Sequence, residues 1–100
     1  MPTRPRKPVS GRPKGASTFD APTALAFGTV VRAARARAGL SQEELAHRSE
    51  LDRSYFSKIE RGLSQPTLSA LFKIARALEY KPTTLIGMTQ RALQGEGEPE

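Results

Sequence analysis

Between Ser41 and Gly62 the chain has room for two short helices and a tight turn between them. Ser41-Gln42-Glu43-Glu44 is a capping box, in which the Ser41 hydroxyl can accept the Glu44 amide and the Glu44 side chain can reach back to the start of the helix. The helix it opens runs to about Arg48, with Leu45 and Ala46 facing inward. After Ser49-Glu50-Leu51, Asp52 is a good N-cap for a second helix that carries Tyr55, Phe56 and Ile59 and stops at Gly62. Two helices joined this closely, the second opening on small polar and basic residues, suit one helix bracing on a nucleic-acid backbone while the next presents side chains to base edges.

The flanking sequence is helical as well. From Ala24 to Ala38 the apolar residues Phe27, Val30, Val31, Ala34 and Ala38 recur at spacings of three and four, and Gly39 is a stop. Thr67 caps a further helix through Leu68, Leu71, Ile74, Ala75 and Leu78, Pro82 breaks the chain, and Thr83 to Leu93 reads as the last helix. No segment alternates with a two-residue period, so the expectation is an all-α bundle.

Charge and composition divide the chain. Met1 to Pro22 holds five of the eight prolines, five Lys/Arg against one acid and almost no large apolar residue, too little to offset ordering entropy; it reads as a flexible basic arm, residues 1–22. Residues 23–93 form the folded unit, with eleven basic and six acidic residues, and residues 94–100 an acidic flexible tail. A basic domain with a basic arm fits a polyanionic partner. The chain has no cysteine and a single histidine, His47, which excludes disulfides and thiolate sites and leaves no expectation of a metal or a cofactor. Ser49, His47 and Asp52 lie on or beside one short turn with nothing to shape a pocket, so an enzyme is not expected. No apolar run approaches the ~18 residues of a membrane span, the N-terminus lacks the apolar stretch of a signal peptide, and a cytoplasmic protein is expected.

The runs Gly39 to Ala46, Phe56 to Gly62, Pro66-Thr67-Leu68 and Ile74 to Leu78 resemble, in order and spacing, the lambda-repressor/Cro-type (XRE) helix-turn-helix family, across roughly Phe27 to Ile86. The resemblance implies a compact five-helix lambda-repressor-like domain, with the helix-turn-helix at about 41–61, that binds double-stranded DNA and regulates transcription. Leu51 to Arg61 is also similar to the recognition helix of restriction-modification controller proteins, a bacterial or phage setting at the nucleoid. One position departs from the family pattern: the turn residue that is often glycine, because the turn favours positive φ, is Glu50, a substitution that costs about 1 kcal/mol.

Site roles carry over residue by residue. Arg53, Ser54 and Lys58 fall where the family's recognition helix meets base edges, and an arginine such as Arg53 can bond a guanine through O6 and N7. Tyr55 is either a further contact, to sugar-phosphate or a thymine methyl, or a partly buried aromatic. Gln42 looks like the family's phosphate-contacting glutamine, with Ser41 beside it at the same helix start. Ser57 is a phosphate or base contact or a bystander. Arg61 reaches a phosphate, with Ser64 and Gln65 as further candidates. Arg35 and Glu60 occupy the places of a structural ion pair. In the arm, Ser10-Gly11-Arg12-Pro13-Lys14 resembles the Gly-Arg-Pro core of an AT-hook, so Arg12 and Lys14 are either minor-groove contacts or part of a nonspecific electrostatic arm. A module this small offers few base contacts, so a homodimer on a palindrome is expected, through Leu85, Ile86, Met88 and Leu93. An antitoxin-type protein that binds a toxin and autoregulates its operon is the alternative.

Overall fold

The computed structural model describes residues 19–95; residues 1–18 of the expected arm, with Arg12 and Lys14, and the tail from residue 96 onward lie outside them, whereas Ala21 and Pro22, expected in the arm, belong to the first helix. Five helices follow in order: α1 Ala21–Ala38, α2 Gln42–Arg48, α3 Arg53–Glu60, α4 Leu68–Leu78 and α5 Pro82–Leu93. Among the described residues there is no strand, and no helix is long and apolar enough to cross a membrane.

Four helix starts are closed by local side chains. Asp20 caps α1, its Oδ1 accepting the Thr23 N–H at 3.2 Å and its Oδ2 the Thr23 hydroxyl at 2.9 Å. The capping box of α2 is complete, with the Ser41 N–H donating to Glu44 Oε1 at 2.7 Å and the Glu44 N–H to Ser41 Oγ at 3.0 Å. Asp52 and Thr67 accept in the same way from Tyr55 and Ala70 at the starts of α3 and α4. Two boundaries differ from the apolar periodicity. The first helix begins at Ala21 rather than Ala24, because the Asp20 cap precedes the first apolar residue and Pro22 is tolerated in a first turn, where a backbone N–H has no carbonyl of the helix to bond. Pro82 likewise opens α5 instead of standing before it.

The turn that sets α3 against α2 is built on Glu50, at φ 59°. Its N–H donates to His47 O and the next N–H, of Leu51, to Ala46 O, each at 3.0 Å, which closes the end of α2 and delivers Asp52 to the start of α3. A second residue, Glu79, takes the same left-handed conformation after α4, at φ 65°; no feature of the sequence marked it.

The core lies where α1 crosses the others. Phe27, Val31 and Ala34 of α1 meet Leu45 and Ala46 of α2, Phe56 and Ile59 of α3, Ile74, Ala75 and Leu78 of α4, and Leu85 of α5. This is the apolar face that the three-to-four spacing marks in each helix, and its burial is the main term holding α2 and α3 at their angle. His47 is exposed on α2.

Candidate nucleic-acid interface

Because Phe56, Ile59 and Glu60 turn inward, the other side of α3 is left facing out. Arg53 and Ser54 open that side exposed, Ser57 follows one turn later, and Arg61 stands just past the last turn. Together with Gln42, at the first position of α2, these four residues line one shallow groove of about 400 Å³. Two guanidinium groups, two hydroxyls and an amide thus converge on a surface that carries no carboxylate among its lining residues, an arrangement suited to phosphate oxygens and base edges. Lys58 is exposed on α3 one turn beyond Ser54, outside the groove lining.

Behind this surface lies the Arg35–Glu60 pair. Arg35 Nε donates to Glu60 Oε2 at 2.5 Å and Nη2 to Oε1 at 3.1 Å, a bidentate pairing whose carboxylate side chain is fully buried. The remaining guanidinium nitrogen donates to Leu40 O at 2.9 Å, so one side chain ties α1 to the loop before α2 and to the end of α3. The hydrogen bond to Glu60 raises the Arg35 pKa above its ordinary value, against the opposing effect of burial. Gln42 joins them, its Nε2 donating to Glu60 Oε1 at 2.9 Å, a link that spans 18 residues and left no local signal.

Other expected contacts are engaged elsewhere. Tyr55 packs against the core and its hydroxyl accepts the Thr67 N–H at 3.2 Å, which bonds α3 to the cap of α4 and favours the buried-aromatic reading over a DNA contact. Gln65 turns away from the groove, its Oε1 accepting the Asp20 N–H. Ser41 Oγ accepts the Glu44 N–H and its hydroxyl serves the Glu44 carboxylate, so the side chain is taken up by the capping box rather than by a phosphate. Ser64 is half-buried in the loop after α3 and does not line the groove. On α5 the expectation needs correction: Leu85 is 0% exposed and belongs to the core, Met88 is half-buried against it, and only Ile86 (46%) and Leu93 (45%) face outward as apolar residues available to a partner. Ile86 and Leu93 flank an apolar groove of about 770 Å³ that also includes Phe27, Pro66 and Leu71.

A helix-turn-helix family model matches residues 31–86, which takes in all of α2, α3 and α4. The chain belongs to the XRE-type helix-turn-helix family. The family is made up of DNA-binding transcriptional regulators, which are not enzymes. This XRE-type chain is 41% identical over 66 residues to the control protein C.BamHI of Bacillus amyloliquefaciens, covering 65% of this chain and 82% of that protein. It is similar to the crystal structure of the restriction-modification controller protein C.AhdI from Aeromonas hydrophila, with 44% identity, a TM-score of 0.60, and coverage of 62% of this chain and 94% of that one. The controller protein C.Esp1396I, solved as a tetramer in complex with its natural 35 base-pair operator, matches at 30% identity and a TM-score of 0.66, covering 72% of this chain and 95% of that one. Several other curated relatives are longer proteins, of which the chain spans less than half.

Proposed function

We propose that this XRE-type protein regulates transcription by binding a specific double-stranded DNA site as a homodimer, with α3 in the major groove. The observation that carries the reading is the groove in which Arg53, Ser54, Ser57 and Arg61 of α3 meet Gln42 of α2. Arg53, Ser54 and Lys58 read base edges; Gln42, Ser57 and Arg61 hold phosphates. The basic arm adds sequence-independent attraction. The likeness to C.BamHI, C.AhdI and the operator-bound C.Esp1396I supports a controller-type regulator, acting in the cytoplasm of a bacterium or a phage-infected cell. No observation favours the toxin-binding alternative.

Selection of bound sites from random duplexes tests the reading directly, and the expected product is a palindrome with half-sites about one helical turn apart. On that site Arg53→Ala is expected to lose about 1–3 kcal/mol of binding free energy while binding to random DNA stays nearly unchanged. An equal loss on both duplexes would refute base reading by α3.

A further inference from the structure

We infer that Glu60, buried and remote from any DNA, is a positioning residue of the interface: its carboxylate sets the Gln42 amide so that a donor faces the groove. This rests on the proposed role of Gln42 as a phosphate contact. A glutamine amide carries a carbonyl and an NH2 of nearly the same shape, and only its partners decide which one points where. Phosphate oxygens accept and do not donate, so an amide that offers its carbonyl to a phosphate is repelled. A buried carboxylate is also acceptor-only. Glu60 Oε1 therefore takes one N–H of Gln42, at 2.9 Å, and excludes the orientation in which two oxygens face each other. The NH2 group keeps a second N–H that is not spent on Glu60, and Gln42 lines the groove beside Arg53, Ser54, Ser57 and Arg61.

The carboxylate is itself bonded at both oxygens. Two guanidinium hydrogen bonds from Arg35, at 2.5 and 3.1 Å, hold it against α1, and Arg35 is held in turn by Leu40 O. Leu40 is two residues before Gln42 in the chain. The loop that leads into Gln42 and the side-chain partner of Gln42 are thus bonded to the same arginine, and the amide is set before DNA arrives, so contact with a phosphate does not require a rotamer search.

Affinity for the selected operator, measured for the wild type, Gln42→Ala, Glu60→Gln and the double variant at a temperature where circular dichroism shows all four folded, separates positioning from general damage. Gln42→Ala is expected to weaken binding about threefold to tenfold, the effect of one hydrogen bond. Glu60→Gln should lose most of the same factor alone and nothing further in the Gln42→Ala background, because a carboxamide can face Gln42 with either end. An equal loss from Glu60→Gln in both backgrounds, or no loss in either, would overturn the inference. If Gln42→Ala binds like the wild type while Arg53→Ala is weakened, the inference fails and DNA reading by α3 stands; if neither substitution matters, the proposed function fails. Should Glu60→Gln not fold, the Gln42 side-chain NH2 resonances of the free wild-type protein decide. Slowed exchange relative to the exposed Gln94 is expected, and exchange as fast as that of Gln94 overturns it.

Discussion

Gly28 of α1 lies against Ile59 at the last turn of α3 so closely that a Cβ there would sit 2.5 Å from the Ile59 carbonyl oxygen and 2.6 Å from that of Glu60. Both neighbours are backbone atoms within a packed helix, so neither can swing aside. Alanine in place of a mid-helix glycine ordinarily gains up to about 1 kcal/mol of helix propensity. Here the clash should outweigh that gain, and Gly28→Ala is expected to destabilise the fold by about 1–3 kcal/mol, as overpacked cores do. Urea unfolding measures it, and a stability equal to or above the wild type would show that α1 and α3 part at little cost.

The Arg35–Glu60 pair should respond unequally to loss of its two members. Glu60 has a fully buried side chain, whereas that of Arg35 is 17% exposed and also bonds Leu40 O. Removing the arginine leaves a buried carboxylate with Gln42 as its remaining side-chain partner, and Arg35→Met is expected to cost about 3–5 kcal/mol. Glu60→Gln should cost less, since the guanidinium keeps the Leu40 carbonyl and reaches water. A thermodynamic cycle over the two sites with no coupling would end the claim that they stabilise each other.

Ile86 and Leu93 lie seven residues apart, on one side of α5, with close to half of each side chain exposed. If that side forms the proposed dimer interface, Leu93→Glu should give a folded monomer whose melting temperature no longer rises with protein concentration, as that of a dimer does. Its binding to the palindrome should then lose cooperativity, because the second recognition helix is no longer tethered nearby. Sedimentation at micromolar concentration reads the result. A wild type that remains monomeric both free and on a palindromic duplex would remove α5 from any interface.

Glu44 links stability to acid pH. Hydrogen bonds from the Ser41 backbone N–H and then from its hydroxyl hold the Glu44 carboxyl below its ordinary value of 4.5. A carboxyl with a depressed folded-state pKa contributes fully above the unfolded value, and that contribution fades as pH falls from there through the folded one. The difference in melting temperature between the wild type and Glu44→Ala should therefore be constant above about pH 5 and shrink on further acidification. A difference that persists unchanged to pH 2 would rule out the carboxylate as its source.

What the sequence alone determined is local. Ser41 with Glu44, Asp52 with Tyr55 and Thr67 with Ala70 are each three residues apart, so their chemistry is visible in the order of side chains, while the left-handed turn at Glu50 was implied by the family resemblance. The outward side of α3 is equally legible, because Phe56 and Ile59 must turn inward and thereby leave Arg53, Ser54 and Lys58 in solvent. Tertiary structure decided the rest. Leu85 and Ile86 are adjacent and alike in apolarity, yet one is fully buried and the other 46% exposed, since only the packing of α5 on α1 and α4 selects which faces in. Gln42 and Gln65, two polar residues alike in chemistry, bond to Glu60 and to the Asp20 N–H, 18 and 45 residues away. A glutamine amide has no intrinsic preference among acceptors and donors, and the helix crossings alone determine which of them lies within reach.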